Sequence, residues 1–134
     1  VCYPGTVIST RAAREVLPQQ VGRNTAIAFS GLLARFVSAL YAQDETEALA
    51  SIQDVMAEPH RLALIPELLP LREKMREQGI AHLGISGSGP TLFALCSTDA
   101  LAESAAELFR TNYEKNADAM THICRMDLQG ARQL

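Results

Sequence analysis

The sequence has few cysteines and no cluster of basic residues, and each absence excludes a class of protein. Cys2, Cys96 and Cys124 are odd in number and widely spaced, and no Cys-x-x-Cys pair occurs. This pattern argues against a disulfide framework or a zinc site, and it predicts small buried apolar residues in a reducing, cytoplasmic setting. The net charge is −3, with acids and bases interspersed. Neither nucleic acid nor an anionic membrane is an expected partner, because both require a concentrated basic field.

Long uninterrupted apolar runs are also missing. The longest apolar-leaning stretch, residues 26–41, contains Ser30, Arg35 and Ser38, so we do not expect it to span a bilayer. No secretory signal pattern opens the chain. The first five residues, Val-Cys-Tyr-Pro-Gly, resemble a strand already in progress. We therefore expect residues 1–134 to be one domain of a longer protein.

What the sequence does contain is enough apolar material for one compact core, with 48% hydrophobic residues. Three-and-four spacing, capping residues and helix-ending prolines predict helices. They cover residues 10–17, 24–43, 44–58, 66–78 and a stretch from Ser97 or Thr98 to Asn116, with Gly79 as the left-handed cap of the fourth. The second helix is predicted to face the core through Ala26, Phe29, Leu33, Phe36, Val37 and Leu40.

Short strand-like runs follow the first four helices. They span residues 80–86, 91–96 and 120–126, in addition to the opening stub that ends at Pro4-Gly5. Helices segregated from strands in this way predict the α+β class, with an antiparallel sheet covered by helices mainly on one face. A ferredoxin-like plait is the simplest topology that accommodates the order.

A glycine-rich loop between two of these strands is the most informative stretch. Glycines permit positive φ, and consecutive amides in such a turn form a concavity that attracts anions. The loop lacks the Gly-Lys-Ser/Thr of a phosphate-binding Walker loop, and Leu92 stands where a dinucleotide fingerprint has its third glycine. A plain hairpin and an anion-binding loop therefore remain equally good interpretations of the residues alone. The candidate loop residues are Gly84, Ser86, Gly87, Ser88, Gly89, Pro90 and Thr91.

The segment 84–95, Gly-Ile-Ser-Gly-Ser-Gly-Pro-Thr-Leu-Phe-Ala-Leu, resembles the third conserved motif of the GHMP kinases, a superfamily of small-molecule kinases. Other segments resemble the bacterial homoserine kinases of that superfamily, in the same order along the chain. These segments are Tyr3-Pro4-Gly5, Ser9-Thr10 with Ala13-Arg14, Ala57-Glu58-Pro59-His60-Arg61, His122-Ile123-Cys124-Arg125 and Gly130-Ala131-Arg132. The resemblance thus covers nearly the whole chain.

This resemblance implies that residues 1–134 form a GHMP kinase C-terminal domain. The main nucleotide loop of the family, Pro-x-x-x-Gly-Leu-Gly-Ser-Ser-like, belongs to an N-terminal domain and does not occur here. ATP and Mg²⁺ would be bound mostly by that domain, against which the glycine loop packs, and the isolated chain is expected to be inactive. The implied reaction phosphorylates the hydroxyl of L-homoserine in threonine biosynthesis. The resemblance also admits a homodimer.

Two arginines match family positions that bind the substrate carboxylate, for which the planar guanidinium offers two parallel hydrogen bonds. Arg14 lies on the first predicted helix, and Arg61 begins a helical turn after Glu58-Pro59-His60. The alternative is a pair of solvated arginines, or ion pairs of Arg14 with Glu15 and of Arg61 with Glu58. The resemblance does not imply a catalytic role for His60, and no catalytic residue or metal site is predicted.

Two other functions remain open from the sequence. The chain could belong to a GHMP kinase for a sugar or a mevalonate-type substrate, although the Glu-Pro-His-Arg and Gly-Ala-Arg segments argue against it. It could also be a free-standing ferredoxin-like module that binds an amino acid. In a kinase, loss of the partner domain would expose apolar surface, so the separate domain is expected to self-associate.

Overall fold

A computed structural model describes residues 1–80, 82–127 and 129–130 of the chain. Within these ranges the chain forms six α-helices, one 3₁₀ turn and four short strands. They are β1 (Cys2–Tyr3), α1 (Thr10–Glu15), α2 (Arg23–Ala42), α3 (Glu45–Ser51), α4 (Glu58–Arg61), a 3₁₀ turn (Leu62–Leu64), α5 (Leu68–Glu77), β2 (His82–Ile85), β3 (Leu92–Leu95), α6 (Asp99–Asn112) and β4 (Met120–Thr121).

The four strands form one antiparallel sheet in the order β2-β3-β1-β4. The β2–β3 hairpin, with β2 at the edge of the sheet, is in register from His82 opposite Leu95 to Ile85 opposite Leu92. Leu92 also lies opposite Cys2 of β1, so the hairpin and the first strand meet in the middle of the sheet. This arrangement confirms the predicted α+β class with an antiparallel sheet.

The hydrophobic core lies between one face of the sheet and helices α5 and α6. Three leucine or methionine side chains of α5 and an alanine and a phenylalanine of α6 contact apolar strand residues there. The helices therefore cover mainly one face, as the plait predicts. Fully buried members of this core are Cys2, Ile65, Leu68, Leu71, Met75, Leu92, Phe109 and Tyr113.

Helix α2 has the predicted bounds to within a residue, but the prediction that its apolar stripe faces the core is wrong. Leu33 is 56% exposed and Leu40 is 55% exposed. The helix packs instead against α3, where Arg35 donates from Nε to Glu47 Oε1 at 2.7 Å. By length and composition alone α2 could cross a membrane, a criterion that many core helices of soluble proteins also meet, so this is a weak indication.

Helix α3 ends at Ser51 and not at Glu58 as predicted. Its start is as expected, because the Asp44 side chain accepts a hydrogen bond from the Glu47 amide. The early end has a local cause in Asp54. Its carboxylate accepts backbone N–H groups of the residues that follow it, and such bonds compete with continuation of a helix.

Three further bounds differ from prediction. Helix α1 ends at Glu15 rather than Leu17. Helix α6 ends at the C-cap Tyr113 and not at Asn116. The side-chain amide of Asn116 donates to the Gly5 carbonyl instead. Strand β4 covers residues 120–121 rather than 120–126. Its pairing with β1 ends at the bond from the His122 amide to the Val1 carbonyl, because Val1 is the first residue of the chain.

The three cysteines are free thiols in different environments. Cys2 is buried, Cys96 is half-buried and Cys124 is exposed, so the expectation of buried cysteines is wrong for the third. Burial raises the pKa of the Cys2 thiol, and it likewise raises the pKa of Cys96. Both groups are consequently protonated, apolar packing residues at neutral pH.

Candidate functional site

The glycine loop connects β2 to β3 and is closed as a hairpin. The Ser86 amide donates to the Thr91 carbonyl at 2.8 Å, and the Gly89 amide donates to the Ser86 carbonyl at 3.1 Å. Gly87 and Gly89 have φ of +62° and +79°, values that side-chain-bearing residues rarely adopt. A Cβ built on Gly87 would meet no atom within 4 Å, so this part of the loop backbone is open to an approaching group.

The opposite side of the loop is packed against the core. A Cβ on Gly89 would lie 3.0 Å from Cδ1 of Ile65 and 3.3 Å from Cγ2 of Ile85. Pro90, which follows a cis peptide bond, is buried, and its carbonyl accepts a hydrogen bond from the buried hydroxyl of Tyr113. One face of the loop is therefore fixed, while the Gly87 face is free.

Helix α1 begins beside the same loop. Its N-cap is Ser9, whose hydroxyl accepts from the Ala12 amide at 3.0 Å. The Thr10 hydroxyl lies 3.5 Å from the Ser88 hydroxyl, which brings the first turn of the helix to the loop. Two hydroxyl groups from separate segments thus converge at this edge of the sheet.

Arg61 connects helix α1 to the glycine loop. Its Nε donates to the Ala13 carbonyl at 3.3 Å, and its Nη1 donates to the Gly87 carbonyl at 2.9 Å. The half-buried side chain makes no ion pair with Glu58, contrary to one alternative from the sequence, because that carboxylate is paired with Arg72. The guanidinium therefore lies at the junction of α1, α4 and the loop.

Arg14 is exposed and directly follows Ala13, whose carbonyl Arg61 binds. The alternative pairing with Glu15 is absent, since that carboxylate is bonded to Arg11 at 2.7 Å. Among the residues that the structure describes, no carboxylate lies within ion-pair distance of Arg14 or Arg61. The segments that carry the two predicted arginines are in contact, and both bring uncompensated positive charge.

A pair of charged side chains, Glu58 and Arg72, holds the Arg61 segment in place. Arg72 of α5 forms a bidentate pair with Glu58, from Nη1 to Oε1 at 2.9 Å and from Nη2 to Oε2 at 2.7 Å. Its Nη2 also donates to the Leu83 carbonyl of β2 at 2.9 Å. The only sequence signal is that Glu58 belongs to the Glu-Pro-His-Arg segment; nothing singles out Arg72.

A groove of about 1240 Å³ adjoins the site, between the α2–α3 hairpin and the β2 edge of the sheet. Glu58, Arg72 and Gly84 line it together with apolar side chains of α2 and α3. His82 also borders this groove, and its partial burial lowers the pKa of the imidazole. In the described part of the chain, no three His, Cys, Asp or Glu side chains form a potential metal-binding group.

Comparison with known proteins agrees with the fold. The family model described as "GHMP kinases C terminal" matches residues 36–115. A homoserine kinase from Cytophaga hutchinsonii ATCC 33406 has a similar structure, with a TM-score of 0.78 and 29% sequence identity over 84% of this chain. The present chain covers 36% of the length of that protein. Since the family model matches more than half of the chain, the resemblance seen in the sequence is confirmed, and this chain belongs to the GHMP kinases as a C-terminal domain.

Proposed function

We propose that this chain is the C-terminal domain of a homoserine kinase. That enzyme transfers the γ-phosphoryl group of ATP to the hydroxyl of L-homoserine and releases O-phospho-L-homoserine for threonine biosynthesis. The membership of the GHMP kinases and the similarity to a homoserine kinase support the proposal. Because the chain spans 36% of that relative, we assign most ATP and Mg²⁺ contacts to an N-terminal domain of the same protein. The enzyme is expected in the cytoplasm and is compatible with a homodimer.

The observation that carries the proposal is the position of Arg61. A guanidinium has five N–H donors, and two of them bind the Ala13 and Gly87 carbonyls. The others remain for an anionic group that approaches along the open face of the loop. A substrate carboxylate needs a fixed cation of this shape, and Arg14 on the adjoining helix adds a second positive charge.

The glycine loop complements this anchor. The Gly87 backbone is exposed. We assign this backbone and the Ser88 hydroxyl to the surface on which a phosphate-binding loop of an N-terminal domain packs. Phosphoryl transfer depends chiefly on positioning the reactants and on stabilising phosphate charge, with Mg²⁺ shared between the β- and γ-oxygens. In this scheme the present domain orients the amino acid, and the loop supports the nucleotide-binding domain.

The test is steady-state kinetics of the complete kinase with Arg61→Lys and Arg14→Lys. Lysine retains the charge but loses the fork, so the KM for L-homoserine should rise about tenfold, which corresponds to about 1.4 kcal/mol. The matched control is Arg11→Lys on the same helix, an exposed arginine already bonded to Glu15, for which we expect no change. An unchanged KM for L-homoserine in both site variants would overturn the assignment.

Substrate choice is tested separately with a coupled ATPase assay. The complete kinase is supplied in turn with L-homoserine, mevalonate and galactose, each over the same concentration range. Homoserine-dependent ADP release supports the proposal. Turnover with mevalonate or galactose but not with homoserine would assign the domain to another GHMP kinase, and ATP-independent amino-acid binding without turnover would favour a binding module.

A further inference from the structure

The four-residue helix α4 is attached at both ends to one stretch of the sheet. At its first residue, Glu58 is bonded to Arg72, which also donates to the Leu83 carbonyl of β2. At its last residue, Arg61 donates to the Gly87 carbonyl, four residues further along the same strand and loop. Two arginines therefore fix the two ends of segment 58–61 along segment 83–87.

A helix of one turn has no stability of its own, because nucleation costs more than one turn recovers. The location of α4 must therefore come from its contacts. The backbone amide of Glu58, the first residue of α4, donates to the Asp54 carboxylate at 3.1 Å. The Glu58–Arg72 pair is the strongest of these contacts, since both hydrogen bonds are charge-assisted and the two side chains are only 17% and 28% exposed.

We propose that Glu58 and Arg72 are positioning residues for substrate binding, which act by setting the place of Arg61 over the glycine loop. The inference rests on the proposed role of Arg61 and extends it to Glu58 of the same segment and to Arg72, which lies outside the segments that resemble the family. Neither residue needs to touch the substrate. The bidentate geometry fixes the direction of α4 as well as its distance from β2, and a 1 Å displacement of a binding group is enough to impair a site.

The first test is Arg72→Lys in the complete kinase, which keeps the charge and loses the bidentate fork. We expect the KM for L-homoserine to rise about tenfold, with kcat and the KM for ATP changed less than about twofold. Arg76→Lys is the matched control: it lies one turn later on α5 and makes only an exposed 3.7 Å contact with Glu73. Equal KM values for the variant and the control would overturn the proposal.

A double-variant cycle separates positioning from general destabilisation. Because Arg72 acts through Arg61, Arg72→Lys should have little further effect on the homoserine KM once Arg61→Lys is present. Full additivity of the two changes would overturn the proposal. Glu58→Gln retains the shape of the side chain and removes its charge, so it should reproduce the KM effect and serves as a second variant if Arg72→Lys does not fold.

A readout without substrate keeps the two proposals distinct. In this domain the Arg61 Nε–H is bonded to the Ala13 carbonyl, and its hydrogen exchange can be followed by NMR in the complete kinase without substrate. We expect faster exchange in Arg72→Lys than in Arg76→Lys. Unchanged exchange would overturn the positioning role, whereas an unchanged homoserine KM in Arg61→Lys would overturn the carboxylate role.

Discussion

The hydroxyl of Tyr113 donates a hydrogen bond to the carbonyl oxygen of Pro90, although 23 residues separate them in sequence. Tyr113 is the C-cap of α6, and Pro90 lies in the glycine loop. Burial raises the pKa of the phenol, so the hydroxyl remains a proton donor throughout the pH range in which the protein is handled. This bond fixes the packed side of the loop and leaves the Gly87 side open.

Tyr113→Phe should therefore lower the free energy of unfolding by about 1–3 kcal/mol, because it leaves the buried Pro90 carbonyl without its partner. The measurement is urea unfolding of the chain followed by circular dichroism. Tyr41→Phe is the control, since Tyr41 is 88% exposed and should change stability by less than about 0.5 kcal/mol. Equal effects of the two substitutions would show that the loop does not depend on this bond.

The two central glycines of the loop should respond differently to alanine. Both have positive φ, so each substitution carries a backbone cost of about 1 kcal/mol. Gly87→Ala carries no further steric cost, because the new Cβ would project into open space. Gly89→Ala must also displace Ile65, whose Cδ1 would be 3.0 Å from the new Cβ. Urea midpoints should therefore fall further for Gly89→Ala, and the reverse order would contradict the described packing.

Much of this fold could be predicted from local pattern. The spacing of apolar residues predicted the helices, and the strand-like runs beside the glycines predicted the β2–β3 hairpin. The burial of α2 could not be obtained in this way, because periodicity identifies an apolar stripe but not the surface that covers it. Leu33 and Leu40 fit the helical pattern and are nevertheless exposed in the structure.

The contacts around the candidate site could not be predicted from the sequence. The glycine loop was identified from its residues and Arg61 from a resemblance, while the bond that joins them involves residues 26 apart in sequence. The pairing of Glu58 with Arg72 depends on how α5 packs beside β2, which is a tertiary relationship that no local rule encodes. The end of α3 was mispredicted for a different reason, since the Asp54 carboxylate was not recognised as a competing acceptor for backbone N–H groups.

Asp54 should accordingly contribute more to stability than an ordinary helix cap. Its carboxylate accepts N–H groups of Met56 at 3.0 Å, Ala57 at 2.7 Å and Glu58 at 3.1 Å. We expect Asp54→Ala to cost about 2 kcal/mol, at the upper end of the range for caps. Asp44→Ala, which removes a single bond, should cost about 1 kcal/mol in the same urea titration. Asp54→Asn should be mild, and a loss as large as for alanine would contradict this interpretation.

His82 should make the chain less stable as the solution becomes mildly acidic. Burial lowers the pKa of this imidazole below its usual value of 6.5. As pH falls through 6.5, the unfolded chain binds a proton that the folded chain does not, so stability declines until the folded-state pKa is passed. Asp54, Glu58, Arg72 and Arg76 border the same groove, but burial is the cause of the shift.

The measurement is the urea midpoint at pH 7.5, 6.5 and 5.5, for the native chain, His82→Gln and the exposed-histidine control His122→Gln. The urea midpoint should fall less between pH 7.5 and 5.5 in His82→Gln than in His122→Gln. Glu67 does not titrate in this pH range. Burial raises the pKa of Glu67, but the hydrogen bond and the charge of Lys115 outweigh that effect, so the pKa is lowered. Because the shift is downward, the stability that Glu67 contributes is lost only below about pH 4.5, outside the titrated range. An equal decline in all three proteins would show that His82 is not the responsible group.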